Sequence, residues 1–264
     1  MITLVTNLVQ HRELLFNLTL RDIKSRYAQS FLGIAWAIIQ PLSLVLIFTL
    51  IAHFIKIPSD GLPRPVFYFA ALLSWGVFQS ALNTAIPSVV ANQNLVRKIY
   101  FPREIFPMAA ILASLFDLLI TLVIFAGFLA FYQVKLTVYV LLFPVLLAVQ
   151  VVLMLAISLL GAGLNVYFRD IRTALPLLLQ LWMYASPVIY PLSSVMDSSF
   201  PAWVKQLYLL NPMAGLIEGF RRILLKGEPP DYAALLWALA GSLVLLFVCY
   251  RAFKRLERKF ADVI

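Results

Sequence analysis

Apolar positions in this chain come in long unbroken runs, not in the short alternating stretches or narrow helical stripes of water-soluble elements. Runs long enough to cross a hydrocarbon core of about 30 Å occupy residues 32–55, 66–90, 105–132, 137–168, 174–190 and 232–253. The fifth is short and ends at Pro187 and Pro191. A membrane β-barrel needs brief alternating segments, so the pattern predicts an all-α membrane protein with six transmembrane helices. Three stretches read differently. In 7–30, Phe16, Leu20, Ile23 and Tyr27 recur at helical spacing while Arg21, Asp22, Ser25 and Arg26 take other faces, which predicts an amphipathic helix lying in the membrane interface. Residues 92–107 form a polar, basic loop. Residues 192–231 contain Pro201 and Pro212 but are too apolar for an ordinary loop, and short re-entrant helices are expected there, buried in protein or lining a cavity. The expected organisation is an interface helix over 1–31, one transmembrane domain over 32–253, and a tail over 254–264.

Composition points the same way. Of 264 residues, 62% are hydrophobic and only 12% charged, against roughly 25% charged in soluble proteins. The first long apolar run follows a polar segment, so it is expected to remain as a span and not to be cleaved as a signal. The net charge of +9 fits cation-rich loops facing anionic head groups. Nucleic acid is set aside, because no recognition motif accompanies the charge. Arg12, Arg21, Lys24 and Arg26, then Arg97, Lys98 and Arg103, then Arg169 and Arg172, then the basic tail all fall on one side of six spans. The positive-inside rule makes that side, with both termini, cytoplasmic.

Chemistry is sparse. The single cysteine, Cys249, and two histidines, His11 and His53, exclude a disulfide framework and a zinc site. No phosphate-binding loop ending in Lys-Ser or Lys-Thr, no HExxH and no GxSxG occurs. Cofactors on this chain are therefore expected to be none, and any ATP-driven step must come from a partner. Asp117 is the clearest acid inside a predicted span. It reads either as a functional group, in a proton-coupled carrier or a lipid-modifying enzyme, or as a hydrogen-bonded tie to another helix. Six spans enclose little space, so a wide conduit calls for two copies about a two-fold axis.

The segment RDIKSRYAQSFLGIAWAIIQP at 21–41 resembles the start of permease subunits of bacterial ABC exporters of cell-surface polysaccharides, the O-antigen, capsule and teichoic-acid group. NLVRKIYFPREIFP at 94–107, NVYFRDI at 165–171, SPVIYP at 186–191 and LNPM at 210–213 fit the same family in order. The resemblance implies a homodimer in the bacterial inner membrane carrying two cytoplasmic ATPase subunits, which hold ATP and Mg. It implies export of a polyprenyl-pyrophosphate-linked glycan to the periplasm. It further implies a coupling helix between the second and third spans, made here by Asn94, Arg97, Lys98, Tyr100, Phe101 and Arg103, with Arg169 and Asp170 as a second contact. The segment 192–227 would then gate the periplasmic exit as two short helices. Arg21, Lys24 and Arg26 are candidates for the lipid pyrophosphate, since guanidinium forks and ammonium groups suit phosphate oxygens. Trp36, Tyr68, Trp75, Trp182, Tyr184 and Tyr190 are candidates for stacking on sugar rings, against the alternative of an interfacial aromatic belt. A permease of the same architecture for a small molecule or drug is the competing reading.

Overall fold

The computed structural model describes residues 2–28, 33, 35–98 and 101–260, with the backbone alone for residues 2, 3 and 5. Among these residues all regular structure is helical. Two helices, α1 (Ile2–Gln10) and α2 (Arg12–Tyr27), precede the first span, α3 (Ala35–Ile55). The second span, α4 (Arg64–Ala85), is followed by the short α5 (Ser88–Ala91) and α6 (Gln93–Lys98). Next come α7 (Ile105–Phe131), a 3-10 turn (Val138–Leu142) running into α8 (Phe143–Tyr167), and α9 (Asp170–Tyr184). Three short helices, α10 (Leu192–Met196), α11 (Ala202–Leu209) and α12 (Pro212–Arg221), lead through a π turn (Arg222–Lys226) into the last helix, α13 (Tyr232–Glu257).

Five helices are long and apolar enough to cross a membrane: α3, α4, α7, α8 with its leading turn, and α13. They match five of the six expected runs. The fifth run is a helix of 15 residues, about 22 Å long at 1.5 Å per residue, and it gives way to turns at 185–190. Pro187 and Pro191 account for the early stop, because each lacks an amide hydrogen and disfavours a helical residue before it. The run at 66–90 is likewise two helices, interrupted at Ile86–Pro87. The interface segment also differs from a single amphipathic helix. Leu18 is buried while Phe16 is 62% exposed, so apolar residues cover more than one side of α2, one side packing on α7 and the other open.

The termini of the helices follow local chemistry. Asp231 caps α13, its carboxylate accepting from the amides of Ala233 at 2.9 Å and Ala234 at 3.2 Å. Asn211 caps α12 by accepting from Met213 N at 3.1 Å, and Pro212 fills the first helical position. The centre of the bundle is α4, whose span is 78% buried against 17% for α3. It packs on α3, α7, α8, α9 and α12. A buried amide pair fastens it to α8: Ser74 Oγ donates to Gln150 Oε1 at 3.1 Å, and Gln150 Nε2 returns a bond to the Ser74 carbonyl at 2.7 Å. With no water in a hydrocarbon core, these groups need each other. In α12, Met213, Leu216, Ile217 and Phe220 are fully buried, so this segment belongs to the core. No residue of α10 or α11 is buried.

Candidate functional site

Asp117 sits about 18 Å along α7, at 1.5 Å per residue from Ile105. It faces the end of α2. Its carboxylate accepts from the Arg26 guanidinium and from the Tyr27 hydroxyl. Arg26 also donates to Thr84 Oγ1 at 3.2 Å and Ser114 Oγ at 3.1 Å, so one guanidinium joins α2, α4 and α7. Burial, and then the hydrogen bond from the Tyr27 hydroxyl to the Asp117 carboxylate, push that hydroxyl well above its ordinary pKa, which keeps it protonated as a donor. Of the alternatives open for Asp117, the structure supplies an interhelical tie, with an arginine and a tyrosine as its partners.

Beside this pair lies a cavity of about 410 Å³ bounded by α2, α3, α4 and α7. Trp36 and Gln40 line it from α3, and Trp75, Gln79 and Asn83 from α4. Behind Trp75, the ring of Trp182 stands edge-on at 6.5 Å and meets Phe78 at 5.2 Å. A second, more open groove runs along α2 between Asn17, Leu20, Arg21, Lys24 and Ser25.

At the basic end of the bundle, α6 buries Val96 and exposes Asn94, Arg97 and Lys98. The chain after α6 is anchored firmly. Glu104 is fully buried and accepts from Asn7 Nδ2 at 2.8 Å, Lys254 Nζ at 2.7 Å and the Tyr250 hydroxyl at 3.4 Å. The Arg103 amide donates to Glu257 at 3.0 Å. This network binds the loop after α6 to both α1 and α13. At the opposite end, Arg221 is fully buried beneath the turn that follows α9. It donates to the carbonyls of Val188 at 2.8 Å and Tyr190 at 3.3 Å, lies 3.8 Å from the centre of the Phe67 ring, and has Glu218 at 3.7 Å. A buried guanidinium requires such compensation. Lys226 pairs with Asp60 and Glu218, both at 2.9 Å, and Asp60 also accepts from Ser193 at 3.0 Å.

The family profile described as ABC-2 type transporter matches residues 13–225. The chain belongs to the ABC-2 type transporter family. It is 33% identical to the O-antigen export system permease protein RfbA of Myxococcus xanthus, over the whole of both chains. It is 26% identical to a Klebsiella pneumoniae protein of the same name, over 96% of this chain and 95% of the relative. It is also 24% identical to the polysialic acid transport protein KpsM of Escherichia coli, over 88% of each.

In this ABC-2 type chain the residues singled out from the sequence separate by environment. Asn94, Arg97 and Lys98 form one exposed surface, as do Arg169 and Asp170 at the start of α9. Phe101 is 6% exposed and packs on Phe106 at 5.3 Å, and Arg103 is held near Glu257, so these two serve the anchor of the loop. Tyr100, and residues 29–32 and 34 of the 21–41 segment, lie outside the described residues. Among the three N-terminal cations, Arg21 and Lys24 line the open groove, with Arg21 2.8 Å from Asp22, while Arg26 is committed to Asp117. Of the six aromatic candidates, Trp36 and Trp75 border the cavity. Tyr68 is wholly buried against Phe67 and Phe48. Tyr190 donates to the Tyr184 carbonyl at 2.8 Å, and Trp182 donates to Asn211 Oδ1 at 3.0 Å.

The SPVIYP and LNPM segments gain a physical role from this. Asn211 Nδ2 donates to the Ala185 carbonyl at 3.2 Å and to Ser186 Oγ at 2.9 Å, so the two motifs close one joint between α9 and α12. Sequence reasoning overlooked Arg221, Glu104, Gln150 and Gln79. An arginine within an apolar stretch, and amides inside predicted spans, were the available signals.

Proposed function

We propose that this chain is the membrane-spanning subunit of an ATP-driven exporter that moves polyprenyl-pyrophosphate-linked polysaccharide out of the cytoplasm. Two copies form the conduit in the bacterial inner membrane, with both termini cytoplasmic, and each docks one ATPase subunit carrying ATP and Mg. The observation that carries this reading is the end-to-end similarity to an O-antigen export permease, with a capsule-type transport protein among the other relatives. The short α9 together with the core-packed α12 completes the sixth crossing, and α10 to α12 guard the exit.

The geometry supports a division of labour at the cytoplasmic end. Asn94, Arg97 and Lys98, with Arg169 and Asp170, offer an exposed surface for the ATPase. The Glu104 network then carries ATPase movement to α1 and α13, because a buried charged cluster shifts as a unit and cannot shear cheaply. Lys24, and Arg21 beside its exposed neighbour Asp22, line the open groove and are the cations placed to meet a lipid pyrophosphate, whereas Arg26 keeps α2 fixed to α7.

The test is reconstitution in nanodiscs with the ATPase encoded beside this chain, followed by ATPase measurement and by export in cells lacking the native gene. A two-plus-two complex with ATPase activity, and loss of export in the Arg21→Gln, Lys24→Gln double variant with complex formation retained, are expected. A well-folded chain that binds no ATPase, or cells that keep their surface polysaccharide without the gene, would overturn the reading.

A further inference from the structure

The outward side of α13 changes character once along its length. Leu246, Cys249 and Phe253 are buried on the inward side. On the other side Val244, Phe247 and Val248 are exposed, and steps of three and four residues carry that same side on to Arg251, Arg255 and Arg258, which are exposed too. In a helix apolar enough to span a membrane, the first group meets acyl chains. Arg251 stands about 28 Å along the helix from Tyr232, at 1.5 Å per residue, close to the hydrocarbon thickness of about 30 Å. With the exposed Tyr232 ring at one edge of the bilayer, Arg251 falls at head-group level on the other. Arg255 and Arg258 follow one and two turns further out, Arg258 just past the last helical residue and still in helical backbone.

Among the described residues, none of these three arginines has an acidic partner. Glu257 is turned to the opposite side, 2.8 Å from Lys254 Nζ and 3.0 Å from the Arg103 amide. The Arg251 guanidinium lies 4.1 Å from the centre of the Phe247 ring, one turn nearer the membrane. Stacking fixes its plane and leaves its N–H edge open. The positive-inside bias counts cations and is indifferent to which side of a helix bears them, so it does not account for three guanidinium groups in register above a lipid-facing strip. A phosphodiester matches them, since its oxygens accept from guanidinium forks. A zwitterionic head group would bring an ammonium that the strip repels, and a second copy packed here about a two-fold axis would set like charges together. We propose that Arg251, Arg255 and Arg258 form a head-group seat for an anionic phospholipid, whose acyl chains lie along Val244, Phe247 and Val248. Lys254, on the far side of the same turn, donates to Glu104 at 2.7 Å, so an occupied seat steadies the end of α13 to which the Glu104 network is tied. The seat does not depend on what the chain exports.

The test is native mass spectrometry of the full-length protein, released from mild detergent containing equal amounts of phosphatidylglycerol and phosphatidylethanolamine. Several-fold preferential retention of phosphatidylglycerol is expected. The Arg251→Gln, Arg255→Gln, Arg258→Gln triple variant should lose most of that preference, and lysine at the same three positions should restore part of it, since charge returns without the fork. Arg255→Gln alone should lower the preference by a smaller step, and it carries the test if the triple variant fails to fold. Equal retention of the two lipids by the unaltered chain, or an unchanged preference in the glutamine variants, would overturn the seat. Displacement of phosphatidylglycerol from the strip by an equal amount of polyprenyl pyrophosphate would overturn it in favour of a substrate contact. Glutamine variants that keep the lipid preference but no longer hold the ATPase encoded beside this chain would overturn it in favour of a protein contact.

Discussion

The Arg26–Asp117 pair gives the sharpest energetic prediction, because it is the main polar tie between α2 and the bundle. Both side chains are about four-fifths buried, 19% and 23% exposed. Fully exposed pairs contribute about 0.2–1 kcal/mol, and breaking a fully buried one costs about 3–5 kcal/mol. Allowing for the remaining solvent screening, Asp117→Asn should destabilise by about 2 kcal/mol, roughly thirtyfold in the folding equilibrium. The substitution leaves an oxygen for the Tyr27 hydroxyl but removes the charge that balances Arg26. Arg26→Gln should cost a similar amount, since its bonds to Thr84 and Ser114 go with it. The double variant should cost less than the sum, by about 1–2 kcal/mol, because the second change removes the charge stranded by the first. Reversible unfolding in mixed micelles, followed by tryptophan fluorescence, measures all four corners of the cycle. Additivity within about 0.5 kcal/mol would refute the pairing as an energetic tie.

Two other predictions concern the end of the bundle opposite α6. Burial alone would raise the Asp60 carboxyl pKa, but the Lys226 hydrogen bond and charge, with the Ser193 hydroxyl, hold it below its ordinary value. A depressed carboxylate stabilises the folded state above its unfolded pKa of about 3.9, and this contribution fades as pH falls through the lower folded value. Amide protection factors of residues 192–226, with the intrinsic pH dependence of exchange divided out, should therefore fall in acid, and Asp60→Asn should flatten that response; unchanged protection factors would refute it. Gly227 has φ +66°, and a Cβ there would lie 2.8 Å from Thr137 Cγ2. Gly227→Ala should cost about 1–2 kcal/mol in strain, of which Thr137→Ser relieves only the contact, as thermal unfolding of the single and double variants would report.

Much of the fold was legible because a bilayer imposes its own length and polarity. Five of the runs appear as long apolar helices, with Pro87 and Asp231 setting boundaries that a propensity reading can find. The fifth run was harder. Hydropathy continues through 185–190, yet the helix stops at Tyr184, since the prolines and the Asn211 joint outweigh apolar character there. The α2 stripe meets a related limit. In a membrane both the core-facing and the lipid-facing sides are apolar, so periodicity does not say which side packs.

The candidate site was legible in its residue types and not in its groupings. Arg21, Lys24 and Arg26 are equal cations in the sequence, but 3.6 residues per turn aims one of them at α7 and leaves the other two along an open groove. Phe101 and Tyr68 stand beside the other aromatic candidates in the sequence, and only the structure shows that their side chains are buried.

What the sequence determined alone is the solvent, the helical class, the basic end of the bundle and the family, because each rests on composition or on motifs read in order. Only the tertiary structure decided which charges meet. Arg26 lies 91 residues from Asp117, Glu104 lies 150 from Lys254, and Asp60 lies 166 from Lys226. These partnerships depend on how the helices pack, and no local pattern encodes that, because the energy favouring each pair exists only once burial has made an unpaired charge expensive.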